Sequence, residues 1–419
     1  MGQSGEVNMR DRVYPMLSVE EALERVLSYF HVLEPESVPI LESLGRILAE
    51  DVTADVDIPP HANTAMDGYA VLAADTEGAS TESPKSLQVI GDLAAGYVTE
   101  TRVMAGTAIR IMTGAPMPPG ADAVVPFEDT KQEKGQVHIF QGVRVRANVR
   151  SAGEDVHKGE LVLRQGARIR PQEVGMLATL GHKEVQVSRR PRVAILATGD
   201  EVVDIDAPLA PGKIRNSNTY SNAAQVIACG ATPVLLGIAR DDVEDLTTKI
   251  RAGLAQKVDL FLTSGGVSVG DFDVVKEVLA AEGDMTFWRV RMKPGKPFAF
   301  GQIGSVPLLG LPGNPVSAMI SFELFARAAI LKMQGRKDCS RPVVHAVLTD
   351  EVKRKDDRRH YLRVRVQQAE DGYRAFLTGE QGSGILSSMV LANGVAIIPE
   401  DWKSAPAGSR VQVMMLDWE

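Results

Sequence analysis

Residues 259–271 read DLFLTSGGVSVGD, a short apolar run that stops at a glycine-rich loop. Asp259–Thr263 has the length and bulky side chains of a buried strand, and the loop after it is typical of a turn between a strand and a helix. Similar junctions lie on either side of it. Val193–Ala197 precedes the letters TGDE, and Val306–Leu311 precedes PGNP.

Helical patterns alternate with these runs between residues 191 and 335. The predicted helices are Ser217–Cys229, Asp242–Ala255, Val274–Ala281 and one beginning at Pro315, and a further strand is predicted over Pro233–Ile238. Strands that alternate with helices are typical of βαβ units. The sequence therefore predicts an α/β domain with a largely parallel sheet.

The rest of the chain shows mainly β patterning. Short β-like runs and Gly- and Pro-rich turns fill residues 51–136, and residues 137–190 mix strands with a helix over Pro171–Leu180. The tail returns to β patterning from about Arg341. A helix is predicted over Ser18–Phe30, because Ser18 and Glu21 form a capping-box pattern before an apolar stripe. The clearest β runs are Leu87–Ile90, Ala108–Ile111, Ala123–Val125 and Tyr361–Val366.

Composition excludes several classes of protein. Of the 419 residues, 44% are hydrophobic, which argues against a mostly disordered chain. The net charge of −8 argues against non-specific nucleic-acid binding, and no apolar run reaches the ~18 residues of a membrane span. Cys229 and Cys339 are the only cysteines, so a disulfide framework is excluded. We expect a soluble cytoplasmic protein that binds neither nucleic acid nor membrane.

The three glycine-rich loops follow strands, and open α/β sheets bind ligands at the carboxyl ends of their strands. Glycine lets backbone N–H groups approach an anion closely. Asn314 is a predicted N-cap and Pro315 a first helical residue, which would bring a helix amino terminus to the same place. Nearby, MKPGKP at residues 292–297 carries two lysines beside a Pro-Gly turn, which is either an exposed turn or an oxyanion site.

Acidic residues are the second theme. Asp67, Asp200 and Glu201 lie in turns without an evident structural role, and a carboxylate beside a phosphate site commonly holds a divalent cation. Asp242 and Asp273 also lie in turns, but both are good N-caps for the predicted helices that follow them. A basic cluster at residues 353–360 is either a solvated hairpin face or a contact for an anionic ligand or partner. The residues alone indicate a phosphate-bearing small molecule and a hard cation.

Seven segments in order resemble one family. They are NTAMDGYAV at 63–71, IMTGAP at 111–116, GED at 153–155, TGDE at 198–201, SGGVSVG at 264–270, MKPGKPFAF at 292–300 and LPGNPVS at 311–317. The chain resembles the molybdopterin molybdenumtransferases (MoeA), to which the E domain of gephyrin is similar. The resemblance covers roughly residues 15–415. It implies insertion of molybdate into adenylated molybdopterin, with release of AMP and with Mg²⁺ as the divalent cation.

The resemblance also implies an architecture. It places a three-layer α/β molybdopterin-binding domain at residues 191–337, an inserted mainly β domain at 51–146, a discontinuous linker domain at 12–50 with 147–190, and a C-terminal β-barrel-like domain at 338–419. It implies an elongated homodimer, with the active site between the α/β domain of one subunit and the β module of the other.

Site residues carried over from the family fall into three groups. The implied catalytic residues are Asp67, Thr113, Asp155, Glu201 and Asp242. The implied substrate-binding residues are Asp200, Ser264, Gly265, Gly266, Ser268, Asp273, Lys293, Lys296, Pro312, Gly313, Asn314, Pro315 and Ser317. Glu201 and Asp242 are the proposed metal ligands.

Three alternatives stay open from sequence. The first is a molybdopterin adenylyltransferase of related fold, which would use ATP and release pyrophosphate. The second is a non-catalytic pterin-binding scaffold. The third is tungstate in place of molybdate, since the two oxyanions are nearly equal in size and charge.

Overall fold

The fold is taken from a computed structural model that describes residues 16–240, 242–265 and 283–417. The chain forms two compact units. The larger unit combines residues up to 38, residues 43–49 and residues from 186 onward, and the smaller unit combines residues 39–42 and 50–185.

Strands dominate the described residues. They are β1 (Met16–Leu17), β2 (Pro35–Pro39), β3 (Val52–Thr53), β4 (Asn63–Thr64), β5 (Gly68–Val71), β6 (Lys85–Leu93), β7 (Thr107–Ile111), β8 (Ala123–Pro126), β9 (Thr130–Glu133), β10 (Gln136–Ile139), β11 (Val149–Arg150), β12 (Leu161–Leu163), β13 (Glu184–Ser188), β14 (Arg192–Thr198), β15 (Val202–Val203), β16 (Ile214–Arg215), β17 (Thr232–Ala239), β18 (Leu260–Ser264), β19 (Gly283–Val290), β20 (Met292–Lys293), β21 (Pro297–Ile303), β22 (Val306–Leu311), β23 (Val343–Leu348), β24 (Val352–Lys353), β25 (Arg359–Ala369), β26 (Gly372–Leu377), β27 (Gly394–Ile398), β28 (Ser404–Ala405) and β29 (Arg410–Met415).

The α-helices of the described residues are fewer, and side-chain caps mark the start of several of them. They are α1 (Val19–Leu27), α2 (Pro171–Thr179), α3 (Ser217–Ala228), α4 (Val243–Ala255), α5 (Pro315–Ser321), α6 (Arg327–Met333) and α7 (Ser387–Val390). A π-helical turn at Phe322–Ala326 joins α5 to α6. The capping box of Ser18 and Glu21 is present at the start of α1, as predicted.

A seven-stranded sheet forms the centre of the larger unit, in the order β1-β19-β21-β22-β18-β14-β17. β14 pairs in parallel with β17 and β18, and β18 pairs in parallel with β22. β21 runs antiparallel to both of its neighbours. The prediction of a largely parallel sheet is therefore confirmed, with one reversed strand.

Alternate residues of the sheet bury opposite faces, as the period of two in a strand requires. Val193 and Ile195 of β14 pack with α1, α3, α5 and α6 in one core. Ala194 and Leu196 pack with Leu246 and Ile250 of α4 in another. The predicted three-layer α/β architecture is thereby confirmed.

The tail of the larger unit forms a closed barrel of five strands, in the order β25-β26-β23-β29-β27 with β25 paired again to β27. Small and branched apolar side chains fill it, among them Ala346, Val364 and Val413. The predicted β-barrel-like C-terminal region is confirmed. β20 pairs in parallel with β25, which brings Lys293 opposite His360 and fixes a lysine of the sheet-end loop against the barrel.

The smaller unit is mainly β, as predicted. Its six-stranded sheet has the order β8-β5-β7-β6-β10-β9, and short two-stranded ladders join β4 to β11 and β3 to β12. Tyr69 and Val125 lie in the core on one face, and Ile109 and Val124 lie in the core on the other.

Some predictions lie beyond what the structure describes. The predicted helix Val274–Ala281 falls outside the described residues. The four-domain boundaries stay a prediction. No helix in the described part of the chain is long and apolar enough to cross a membrane.

Candidate active site

A cavity of about 740 Å³ opens at the carboxyl ends of the strands of the larger unit. We call it the main cavity. Glu201 after β14, Gly265 after β18 and Gly313 after β22 all line it, so the three predicted loops meet at one place. The remaining wall comes from the loop between β20 and β21 and from the barrel. Predicted residues among the lining are Glu201, Gly265, Lys293, Lys296, Pro312, Gly313, Asn314 and Ser317.

A second cavity of about 260 Å³, the side cavity, shares Glu201, Gly265 and Gly313 with the first. Two further predicted residues, Ser264 and Pro315, line it. Thr198 Oγ1 and Asn218 Oδ1 belong to residues of its wall and are buried, and neither has a hydrogen-bond partner within the described ranges. Buried polar atoms are normally satisfied, so these two indicate a place for a ligand or for water.

Gly265 makes the meeting of these loops possible. Its φ is +92°, and a Cβ atom there would lie 2.7 Å from the carbonyl oxygen of Thr198. A Cβ on Gly313 would lie 3.7 Å from the Cα of Gly265. Gly265 therefore has neither the backbone conformation nor the space for a side chain. Because no side chain is present, the loop after β18 can contact the loops after β14 and β22 closely.

The amino terminus of α5 faces both cavities. Asn314 is its N-cap and Pro315 its first residue, as predicted, although the Asn314 side chain makes no capping hydrogen bond. The N–H of Val316 donates to the carbonyl oxygen of Ser383 at 3.1 Å, and Asn218 Nδ2 donates to the carbonyl oxygen of Gly313 at 2.8 Å. The helix start is thus tied to the barrel and to α3, with its positive dipole end toward the cavities.

Three cationic side chains belong to the wall of the main cavity: Lys293, Lys296 and Arg358. The two lysines flank Gly295, whose φ of +96° forms the predicted turn. A Cβ on Gly295 would lie 2.8 Å from Ser321 Oγ, so this turn packs closely against α5. The oxyanion interpretation of the Lys-Pro-Gly-Lys segment is consistent with this position.

Glu201 is the carboxylate that lines both cavities. Gly199 has a φ of +128°, and a Cβ there would lie 2.6 Å from Glu201 Oε2, so the side chain lies directly over this glycine. Lys213 Nζ donates to the main-chain oxygen of Asp200 at 2.5 Å. This contact ties the loop of the two acids to Lys213.

Asp242 is the N-cap of α4, and its side chain accepts a hydrogen bond from Asp245 N at 2.9 Å. Asp242 therefore caps α4, as one of its two interpretations from sequence predicted. Across residues 16–240, 242–265 and 283–417, no group of three or more His, Cys, Asp or Glu side chains is placed to hold a metal ion.

The smaller unit brings together two other predicted residues. Thr113 donates to Asp67 Oδ1 twice, from its N at 2.7 Å and from its hydroxyl at 2.6 Å. These hydrogen bonds, that of the hydroxyl being the larger cause, lower the pKa of Asp67. The carboxylate therefore stays ionised in its exposed position. Asp155, also exposed, follows the tight turn at Gly153, whose φ is +70°.

Gly266, Ser268 and Asp273 lie outside the described residues. Their predicted roles stay predictions.

Sequence reasoning missed the contribution of the barrel. Arg358, Gln381, Gly382 and Ser383 line the main cavity. Arg358 belongs to the basic cluster, for which an anionic ligand was one of two open interpretations. No sequence signal marked the other three residues.

The rest of the basic cluster is divided in its roles. Arg354 donates to the carbonyl oxygens of Pro399 and Trp402, and Arg359 pairs with Glu400 at 2.9 Å. These arginines stabilise the barrel, and only part of the cluster faces a ligand site.

Three family models match successive parts of this chain. Residues 17–181 match the MoeA N-terminal region (domains I and II), residues 194–332 a probable molybdopterin-binding domain, and residues 345–416 the MoeA C-terminal region (domain IV). The molybdopterin molybdenumtransferase of Bacillus subtilis is 36% identical over 96% of this chain and 94% of its own length. The chain belongs to the molybdopterin molybdenumtransferase (MoeA) family.

Other MoeA family relatives show the same coverage. Molybdopterin molybdenumtransferase 2 of Mycobacterium tuberculosis is 38% identical, over 95% of this chain and 99% of its own length. A crystal structure of the molybdopterin biosynthesis MoeA protein from Pyrococcus horikoshii is 34% identical and has a TM-score of 0.83, covering 96% of this chain and 99% of the other. The family assignment therefore extends over nearly the whole chain.

Proposed function

We propose that this chain is a molybdopterin molybdenumtransferase that inserts molybdate into adenylated molybdopterin and releases AMP. The observation that carries the proposal is the main cavity, where three glycine-bearing strand ends and the cations Lys293, Lys296 and Arg358 converge. Full-length relatives named for this activity support it. Both substrates are anions, and such a cavity suits them.

The cations, the glycines and Asp67 have different proposed roles in substrate binding. Lys293, Lys296 and Arg358 offset the charge of the molybdate dianion beside an already anionic pyrophosphate. Gly265 and Gly313 line the cavity, and the absence of side chains at these two positions lets their loops pack closely together there. Asp67, kept ionised by Thr113, supplies a fixed negative group that orients cationic or donor parts of the reacting complex.

We propose Mg²⁺ as the cation, with Glu201 and Asp242 as its protein ligands. Mg²⁺ takes one or two carboxylates and completes its shell with water and substrate phosphates, so it needs no cluster of three acids. Glu201 fits this requirement, since it lines both cavities. Asp242 Oδ1 accepts from Asp245 N at 2.9 Å, and we assign the other carboxylate oxygen to the metal. When bound, Mg²⁺ neutralises charge on the leaving phosphate.

We further propose a homodimer in the cytoplasm, in which Asp67 of one subunit serves the site of Glu201 in the other. This part rests on the family resemblance. The alternative adenylyltransferase activity is not favoured, because the full-length relatives are named as molybdenumtransferases.

The test is AMP release from adenylated molybdopterin by the purified protein with Mg²⁺, with and without molybdate. Molybdate-dependent release is expected, and the Glu201→Gln variant should lose most of it. A parallel reaction with tungstate measures oxyanion preference.

Two results would contradict the proposal. Pyrophosphate release from ATP and unadenylated molybdopterin would indicate an adenylyltransferase. Tight binding of adenylated molybdopterin, with no AMP released in the presence of either molybdate or tungstate, would indicate a scaffold.

A further inference from the structure

One carboxylate contacts two of the cations that line the main cavity. Asp356 Oδ2 lies 2.8 Å from Arg358 Nη2 and 3.6 Å from Lys293 Nζ. The two cations come from different parts of the larger unit, Lys293 from β20 and Arg358 from the residue before β25. Asp356 is therefore the point at which these two parts of the wall are joined by charge.

The second oxygen of Asp356 is held as well. His360 Nε2 lies 2.9 Å from Asp356 Oδ1, and the N–H of Arg358 donates to the same oxygen at 3.2 Å. The main-chain oxygen of Asp356 accepts from Arg354 Nη2 at 3.1 Å. With both oxygens and the main chain engaged, the carboxylate is fixed before any substrate arrives.

The protonation states agree with this arrangement. Burial raises the pKa of Asp356, but hydrogen bonds from Arg358 and His360 outweigh it and leave that pKa well below its usual value. Burial lowers the pKa of His360 more than its contact with Asp356 raises it. Near neutral pH the histidine is thus uncharged, and because an ionised carboxylate only accepts, Nε2 carries the proton.

An isolated ion pair at a surface contributes little, because two long side chains must be held in one geometry. Asp356 differs from such a pair, because it has three further contacts, with the Arg358 N–H, His360 and Arg354. Only 22% of its side chain is exposed. Lys293 is 48% exposed and would otherwise sample many rotamers.

We propose that Asp356 is a positioning residue that holds Lys293 and Arg358 where the oxyanion substrate binds. The inference rests on the proposed function, since the positions of the two cations matter only if the cavity takes anions. Asp356 touches no substrate itself. Its negative charge opposes anion binding, so its benefit lies in geometry and should be seen in kcat.

The kinetic test compares Asp356→Asn with Asp357→Asn. Asp357 is exposed, lies one residue away and has the same charge, so it controls for the loss of a carboxylate near the cavity. We expect Asp356→Asn to lower kcat for AMP release by about 10- to 100-fold, the scale of a small misplacement of reacting groups. The KM for molybdate should stay the same or fall. Asp357→Asn should leave both unchanged.

Two kinetic outcomes would overturn the inference. One is a kcat of Asp356→Asn within twofold of wild type, and the other is equal effects of the two variants. If Asp356→Asn does not fold, Asp356→Glu carries the same test with a smaller loss, since it keeps the charge and displaces it by one methylene.

Crystal structures of the variants give a readout that does not need activity. Lys293 and Arg358 should leave their positions in Asp356→Asn and keep them in Asp357→Asn. Unmoved cations in Asp356→Asn would contradict the inference even if wild-type protein released no AMP. That absence of release would contradict the proposed function alone.

Discussion

Thr113 donates from its main-chain N–H and from its hydroxyl to the same oxygen of Asp67. The turn that allows this ends at Gly114, whose φ of +83° suits glycine. Asp67 itself is exposed, so solvent screens its charge and it adds little to stability. The function of the pair is therefore to fix the direction and ionisation of one carboxylate.

Removal of the Thr113 hydroxyl should change the pH dependence of activity. Hydrogen bonds to the charged form lower the pKa of Asp67, so in Thr113→Val that pKa should rise toward its usual value. The acidic limb of the kcat/KM profile should then move to higher pH. Thr113→Ser keeps the donor and should keep the wild-type limb. Coincident profiles of all three proteins would show that Asp67 does not set this limb.

Individual site residues were predictable where local chemistry marks them. Gly265 and Gly313 follow strands, and Lys293 and Lys296 flank a turn, so sequence predicted the loops that the main cavity brings together. Sequence marked Arg358 only as part of the basic cluster, for which an anionic ligand was one of two interpretations, and it did not mark Ser383. Both residues reach the cavity only because the barrel packs there, and contacts between distant segments leave no local pattern.

At the scale of elements, side-chain caps mark where three of the helices start. Ser18 begins α1, Asn216 accepts from Thr219 N at 3.1 Å to begin α3, and Asp242 begins α4. Each satisfies an N–H that the helix leaves unpaired. Asp242 is also one of the proposed metal ligands, so the cap of α4 has a second proposed role.

Two substitutions separate these roles. Asp242→Ala should lower the free energy of unfolding by about 1 kcal/mol in urea denaturation, whereas Asp242→Asn, also a good cap, should cost only a few tenths. Asp242→Asn removes the charge, so the Mg²⁺ concentration for half-maximal activity should rise. An unchanged Mg²⁺ requirement would leave Asp242 as a cap alone.

Elements with strong local signals were predicted well. The helices α3 and α4 and the strands β14, β18 and β22 lie within a few residues of their predicted bounds. The hairpin of β19 and β21 was missed, although its two strands pair over seven residues. The Pro and Gly of the segment between them read as a turn, and no helical pattern separates the two strands to complete a βαβ unit.

At the scale of the whole molecule, the proposed shared site can be tested by complementation. Asp67→Asn and Glu201→Gln chains should each be inactive alone. In a 1:1 mixed preparation, half of the dimers of a two-fold symmetric enzyme pair one chain of each kind, and such dimers keep one intact site. AMP release should recover to about a quarter of the wild-type rate.

The control is a mixture of two differently tagged Glu201→Gln chains, which should recover nothing. Purified mixed dimers without activity would show that Asp67 and Glu201 act from the same chain. Sequence alone gave this arrangement only through family resemblance, because no pattern along a chain reports on its partner.

The closed barrel also sets an order for biosynthesis. β29 pairs with both β23 and β27, so the barrel cannot close until Arg410–Met415 has left the ribosome. The central sheet needs no strand beyond β22, which ends at Leu311. Because chain segments fold as they emerge, the ends of β14, β18 and β22 come together before β25 and Asp356 arrive to hold Lys293, and before Arg358 and Ser383 join the cavity. A growing chain thus completes the cationic wall of the main cavity last, when the closed barrel brings Arg358 to it.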